Sequence, residues 1–453
     1  MTTRVRYTGP PLTTGHPLSS DPVLLAQRWL ARAVTRLKTT PGRMRLASAA
    51  IVAGLIVLSA IGVGAFGARQ HAGQDVGVQA EPLLVGSEVI YSRLADADAT
   101  AAGTFLTPGQ EPPQRRARYL DDMKVAADQL ASVTSQVGTS SAGAQAAGQI
   151  THDLPIYAGL IEAARANNRQ GLPVGAAYLR EGSALMRNEI LPSTGKLYQV
   201  EANRLAGAYR SGGSKLDTAG VTVAAAVALV LLIVTQLYLF RRTNRLLNLP
   251  LVVATVLVAL AGAWAIISFN HQAGHLDRAR ITGSDPIQLL SSARILSFRA
   301  QGDEGLALVA RGSGSSYLAD LDAIVAQLGP ADGSTGLIRQ AMDASGSTGF
   351  PVLTGSGGLY PMFLDAHSKV QAAANGGRFG EAVVLATGTE VAAADKLTQG
   401  LDAQITLNQQ AFNTQARAAR SDLRNLAIGM PLLIVVAGLL TLFGLQLRIN
   451  EYR

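Results

Sequence analysis

Few residue types in this chain stand at spacings that could do chemistry. Of the six histidines, only His271 and His275 lie at i,i+4, where one helix face could aim both at a metal, with Asp277 nearby. They follow directly on an apolar run, and solvated interfacial residues are the expectation for them, so no metal ligand is assigned. The motifs HExxH, GxxxxGK[S/T] and GxSxG do not occur, so no catalytic residue and no cofactor is expected. The glycine clusters at Gly312–Gly314 and Gly355–Gly358 follow no strand and read as turns. Arginines are the remaining candidates. Arg165 and Arg169 are one turn apart, with Arg180 and Arg187 on the next helix, a pattern able to grip a carboxylate or to sit solvated on a surface.

The elements that must position these residues are set by four apolar, uncharged runs, Leu46–Ala68, Thr218–Phe240, Leu249–Ser268 and Leu426–Leu447, each about a bilayer thickness long as a helix. The first starts too late and runs too long for a cleaved leader and reads as a retained anchor. Lys and Arg number 39 against 31 Asp and Glu, a net +8, and the excess is not spread evenly. Segment 1–45 carries +7, the loop 241–248 carries +3 and the tail 448–453 carries +1, whereas 69–217 carries −1 and 269–425 carries −2. Basic flanks stay inside, so both termini and the loop are expected in the cytoplasm of a multi-pass plasma-membrane protein, with 69–217 and 269–425 outside. The charge is a topology record, not the basic, aromatic-interleaved surface of a nucleic-acid binder. With no cysteine there is no disulfide framework and no thiolate metal site.

The span–domain–span layout occurs twice, and sequence similarity follows it. Tyr119-Leu120-Asp121-Asp122-Met123 through Gln129-Leu130 matches Tyr317-Leu318-Ala319-Asp320-Leu321 through Gln327-Leu328 with five identities in twelve positions. A weaker match sets Ala166–Gly171 beside Ala374–Arg378. Helical spacing of Leu120, Met123, Ala127 and Leu130, repeated by Leu318, Leu321, Val325 and Leu328, predicts bundle helices. The expected fold is an all-α membrane protein, four transmembrane helices with two tandem extracytoplasmic four-helix bundles. Small-residue steps Ala60–Gly64 and Ala259–Ala263 are the expected helix-packing sites within the spans. No Asp, Glu, Lys, Arg or His lies in a span, which argues against a conducting pathway.

The up-down course of each bundle puts the breaks Thr107–Pro113 and Asn167–Pro173, and Arg311–Ser316 and Asn375–Gly380, at the tips. Asn167, Asn168, Arg169, Asn375 and Arg378 are therefore the candidate partner-binding residues. At the other end, Ser20-Asp21-Pro22 reads as a helix cap. Beyond it Leu25, Trp29, Leu30, Ala33, Val34 and Leu37 form an apolar stripe, with Arg28, Arg32 and Arg36 on another face. This arm suits either the anionic inner leaflet or a cytoplasmic protein. Arg28, Trp29, Arg32, Arg36, Arg241 and Arg242 are the candidate output residues.

Tyr157–Leu191, an aliphatic helix, an Asn/Gly turn and a helix carrying Tyr178, Leu185 and Met186, resembles the second half of the four-helix sensor module of bacterial chemoreceptors. A chemoreceptor carries a signalling domain after its last span, where this chain has six residues. The whole layout, with its basic arm, two helical outside domains, Arg241-Arg242 loop and Arg448–Arg453 stub, resembles the actinobacterial GlnX family. The resemblance implies coupling of an extracytoplasmic glutamate/aspartate-binding lipoprotein to a cytoplasmic Ser/Thr kinase, protein kinase G, in an Ala/Gly/Arg-rich actinobacterial protein that is not an enzyme. A homodimer is possible. The alternatives are a bundle sensor binding a small ligand itself and a structural envelope protein.

Overall fold

The computed structural model describes residues 40–107, 111–137, 141–243, 248–346, 353–354 and 357–450. Among these residues all regular structure is helical. The first half runs through α1 (Thr40–Gln74), α2 (Glu81–Phe105), α3 (Pro113–Gln136), α4 (Ala142–Arg169), α5 (Val174–Leu185), α6 (Leu191–Gly212) and α7 (Lys215–Thr243). The second runs through α8 (Leu249–Ala279), α9 (Asp285–Ala310), α10 (Ser315–Leu328), α11 (Gly336–Ser345), α12 (Leu359–Asn375), α13 (Phe379–Leu385), α14 (Val391–Arg424) and α15 (Leu426–Asn450). Four stretches of continuous helix are long and apolar enough to cross a membrane, within Gly42–Phe105, Val174–Arg241, Leu249–Ser313 and Phe379–Arg448. Arg28, Trp29, Arg32 and Arg36 lie outside the described residues, as does the side chain of Arg242; Arg241 is exposed in the last turn of α7.

Two compact units divide the chain. One comprises the described residues of Met1–Ala60, Val223–Gly262 and Met430–Arg453. Its outward faces carry Ile56, Val230, Leu260 and Leu439, each more than half exposed, an apolar surface suited to lipid and costly in water. Inside it Gln236 Nε2 donates to Thr255 Oγ1 (2.6 Å) and to the Leu251 carbonyl (3.0 Å), fastening α7 to α8. Asn248 Nδ2 donates to the Gly444 carbonyl, fastening α8 to α15. The small-residue steps do not pack as expected: Ala60, Gly64, Ala259 and Ala263 are exposed, and Gly64 has nothing against it. The close contacts run one helix face away, through Ala261 and Gly262, where a Cβ on Gly262 would lie 3.0 Å from Ala225 Cβ.

The other unit spans Ile61–Thr222 and Ala263–Gly429. One core joins Ile90, Leu94, Leu130, Ile150, Tyr157, Ile161, Met186 and Leu197 of α2–α6 and the turn before α6. A second joins Leu290, Leu296, Leu321, Ile324, Tyr360, Phe363, Leu397 and Leu401 of α9–α14. Helices α2 and α9 pack side by side through small residues: Cβ atoms on Gly302 and Gly305 would stand 3.5 and 3.2 Å from Ala99 and Ala102. A third cluster, with Val76, Leu84, Leu205, Leu276 and Phe412, joins the two halves at the opposite end from Leu106 and Leu308. There Arg69, fully buried, donates to the carbonyls of Ser214 (2.5 Å) and Phe269 (3.1 Å), to Thr218 Oγ1 (2.9 Å) and to Gln272 Oε1 (3.3 Å), tying α1, α7, α8 and the break before α7 together.

Helical periodicity is as expected: on α10 Leu321 and Leu328 are buried, whereas on α3 the face is rotated by one residue. On α3 the buried stripe is Tyr119, Asp122, Ala126, Leu130 and Val133, whereas Leu120 is 48% exposed and Ala127 lies outside. A carboxylate occupies the place expected of an apolar residue because Arg93 meets it there at 2.8 Å. The second helix of the later half is interrupted at Gly329–Gly336, where Gly329 and Gly336 adopt positive φ and approach each other too closely for any Cβ.

Among the described residues four π turns interrupt the long helices: Asp75–Ala80 and Met186–Ile190 in one half, Arg280–Ser284 and Ala386–Glu390 in the other. Pro82, Pro192 and Pro286 each follow two residues after such a turn. A proline lacks the N–H for the i−4 carbonyl and its ring collides with that carbonyl; a widened turn relieves both.

Candidate functional site

The two expected tip turns have the same backbone construction. After α4 the Leu172 and Gly171 N–H groups donate to the Asn167 and Asn168 carbonyls (both 2.9 Å), with Gly171 at φ +69°. After α12 the Arg378 and Gly377 N–H groups donate to the Ala373 and Ala374 carbonyls (2.9 and 3.1 Å), with Gly377 at φ +73°. Both are Schellman closures with glycine in the left-handed position. They set Asn168 against Ala374, and so correct the sequence pairing of Ala166 with Ala374 by two residues.

These turns converge. Asn168, Leu172 and Pro173 from the first and Phe379, Gly380 and Val383 beyond the second line one open hollow of about 530 Å³, floored by Phe105, Leu106, Leu308 and Val309. Beneath it Leu106, Leu308, Val370, Ala373 and Ala382 form a small apolar cluster shared by both halves. Arg311 lines the hollow with its guanidinium 5.4 Å from the Phe379 ring centre. Arg311 is also the one non-glycine described residue at positive φ (+50°), which ends α9 abruptly.

Of the five candidate tip residues, Asn168 lines the hollow. Asn167 turns back and donates from Nδ2 to the Ala163 carbonyl (2.8 Å), closing its own helix. Arg169 and Asn375 are exposed at their helix ends. Arg378 is exposed and pairs with Glu381 at 3.1 Å. The arginines weighed for carboxylate binding are dispersed: Arg165 pairs with Glu111 and Glu162, Arg187 pairs with Asp303 at 2.5 Å and stacks on Tyr317, and Arg180 is exposed. His275 Nδ1 meets Gln415 Oε1 at 2.7 Å and His271 is exposed; among the described residues no group of three or more His, Asp or Glu is placed to hold a metal.

Sequence reasoning missed a charged groove between α2, α3, α9 and α14. Arg118 bonds both oxygens of Asp96, from Nε to Oδ1 (3.1 Å) and from Nη2 to Oδ2 (3.0 Å), and bonds Asp395 at 2.6 Å. Arg93 bonds Asp122, and Arg294 bonds both Glu88 and Asp402. Burial pushes the Asp96 and Glu88 carboxyls up against the pull of these guanidiniums. Burial, and then the neighbouring Asp96, raise Asp122 to about 7.

Buried carboxyls also occupy the two cores. Asp98 accepts from Ser183 Oγ (2.8 Å) and Tyr157 Oη (3.2 Å). In the other half Glu304 meets His367 Nδ1 at 3.1 Å, and Glu390, on the last π turn, faces Glu304. Burial raises Glu304 to about 7 and Glu390 well above the usual range, and it lowers His367.

The comparison that bears on this arrangement covers its first half. Residues 72–210 match the actinobacterial sensor domain family. No curated protein and no solved structure matches the chain. The matched stretch runs from the end of α1 nearly to the end of α6 and holds the Gly171 turn, Asp96, Arg118 and Asp122. A sensor domain points to a sensing or signalling role, and the four long apolar helices are compatible with a multi-pass membrane protein. Arg294, Asp395 and Phe379 lie outside the matched stretch and meet it across the fold, Arg294 at Glu88, Asp395 at Arg118 and Phe379 at the hollow, while Asp402 joins through Arg294. No local motif marks these residues, since their pairing spans up to 277 positions of sequence.

Proposed function

We propose that this chain is a non-enzymatic transmembrane signalling adaptor with two tandem extracytoplasmic bundles and both termini in the cytoplasm. An extracytoplasmic solute-binding lipoprotein reporting glutamate or aspartate docks on the tip. The bundles shift, and the basic arm with Arg241 and Arg242 passes the change to a cytoplasmic Ser/Thr kinase. The observation that carries this reading is the convergence of two turns some 200 residues apart on one open hollow walled by both halves. A partner seated there contacts both halves at once, so its affinity differs between their arrangements, which is what moves an equilibrium.

The test is binding of the purified lipoprotein to the full chain in nanodiscs. Arg311→Glu and Leu172→Asp are expected to weaken capture by at least about tenfold, the scale of a lost central contact. Unchanged capture by both variants sinks the docking reading. Kinase retention on the wild-type chain but not on a Trp29→Ala, Arg32→Glu variant tests the output arm. A small ligand bound by the bundles themselves is the second reading, favoured by the charged groove.

A further inference from the structure

The groove between α2, α3, α9 and α14 encloses about 330 Å³, the size of a small-ligand site. Its charges do not balance. Three guanidiniums, Arg93, Arg118 and Arg294, face six carboxyls: Glu88, Asp96, Asp121, Asp122, Asp395 and Asp402. Every guanidinium already serves two carboxyls, so the carboxyls outnumber the guanidiniums by three.

A second observation locates the deficit. The Asp122 side chain is 1% exposed and lines the groove; Oδ1 is held by Arg93, but Oδ2 has no hydrogen-bond donor. A buried carboxylate oxygen without a donor is costly and marks a missing partner. The described carboxyls are not grouped to hold a metal ion. The remaining lining suits an organic cation: Ser92, Thr398 and Gln399 offer neutral polar atoms, and Val89 and Phe298 offer apolar surface for methylenes and a ring face for a cation.

We infer that this groove binds a small organic ammonium ion, of the size of a diamine or a basic amino acid, with its ammonium on Asp122 Oδ2. Asp395 and Asp402 face it from α14, Asp96 from α2 and Asp122 from α3, so the ligand bridges the two halves. It gives the chain an input of its own, separate from docking at the tip.

The experiment is calorimetric titration of the full chain in nanodiscs with cadaverine, spermidine and lysine, with glutamate as the anionic control at matched ionic strength. Saturable binding of at least one amine below millimolar concentration, without glutamate binding, is expected. Asp122→Asn and the half-exposed Asp402→Asn should each weaken it by about tenfold, the scale of one charge-assisted bond. If Asp122→Asn does not fold, Asp402→Asn alone decides. Absence of amine binding, equal binding of glutamate, or affinity unchanged in Asp402→Asn overturns the inference. If free amines fail and only a lysine-rich peptide binds, the small-ligand inference also falls. Arg311→Glu at the tip should leave amine binding unchanged, so the two readings fail separately.

Discussion

Glu304 and Glu390 make stability depend on pH in a direction that can be worked out. Both carboxyls are buried, and neither Glu304 Oε2 nor Glu390 Oε1 has a donor in reach. A proton held between the two supplies one. Burial raises Glu304 from the ordinary 4.5 to about 7. In the unfolded chain it titrates near 4.5, so the folded state holds its proton more tightly. Stability from this group is fully present below pH 4.5 and is lost as pH rises to 7. At 1.36 kcal/mol per pKa unit, 2.5 units amount to about 3 kcal/mol. Glu304→Gln keeps the shape and an N–H donor but carries no charge at any pH. Thermal melts of the detergent-solubilised chain should show wild type and Glu304→Gln close together at pH 4.5. At pH 8 the variant should melt about 5 °C higher. Asp122 and Asp303 titrate in the same window, at about 7 and about 6, so the quantity to read is the difference between the two proteins. A constant offset from pH 4.5 to 8, or a variant that melts lower at pH 8, refutes the reasoning.

Two glycines in the π turns of the second half should respond oppositely to alanine. A Cβ on Gly283 would stand 2.6 Å from Phe412 Cβ and 3.0 Å from its Cα, so Gly283→Ala should destabilise by about 1–3 kcal/mol. Gly388 has open space, and Gly388→Ala should be neutral or gain up to about 1 kcal/mol, both read by melting. Arg69→Met strips donors from the half-buried Ser214 and the buried Phe269 carbonyls and should cost about 3 kcal/mol, with protease sensitivity rising at the α6–α7 break. Arg311→Gly relieves a positive φ and should raise stability by about 1 kcal/mol, although the contact with Phe379 is lost; a lower melting temperature would place the stacking above the strain.

The sequence by itself determined the helical class, the four apolar runs and the glycine-closed turns after α4 and α12. Each is written in local signals: hydrophobic length, 3.6-residue spacing and glycines where the backbone must turn left-handed. Three of the four described π turns were legible too in principle, since Pro82, Pro192 and Pro286 stand two residues beyond them; the turn Ala386–Glu390 has no such proline. Tertiary structure decided which face of α3 is buried. Leu120 points outward and Asp122 inward because Arg93 stands opposite, and no local pattern records a neighbour 29 residues away. It also decided the register of the repeat at the tips, where hydrogen bonds align Asn168 with Ala374, and the groove, whose charges meet only when α2 and α3 pack against α9 and α14. Periodicity fixes how often a residue is buried; the counter-charge that permits an acid to be buried comes from elsewhere in the chain.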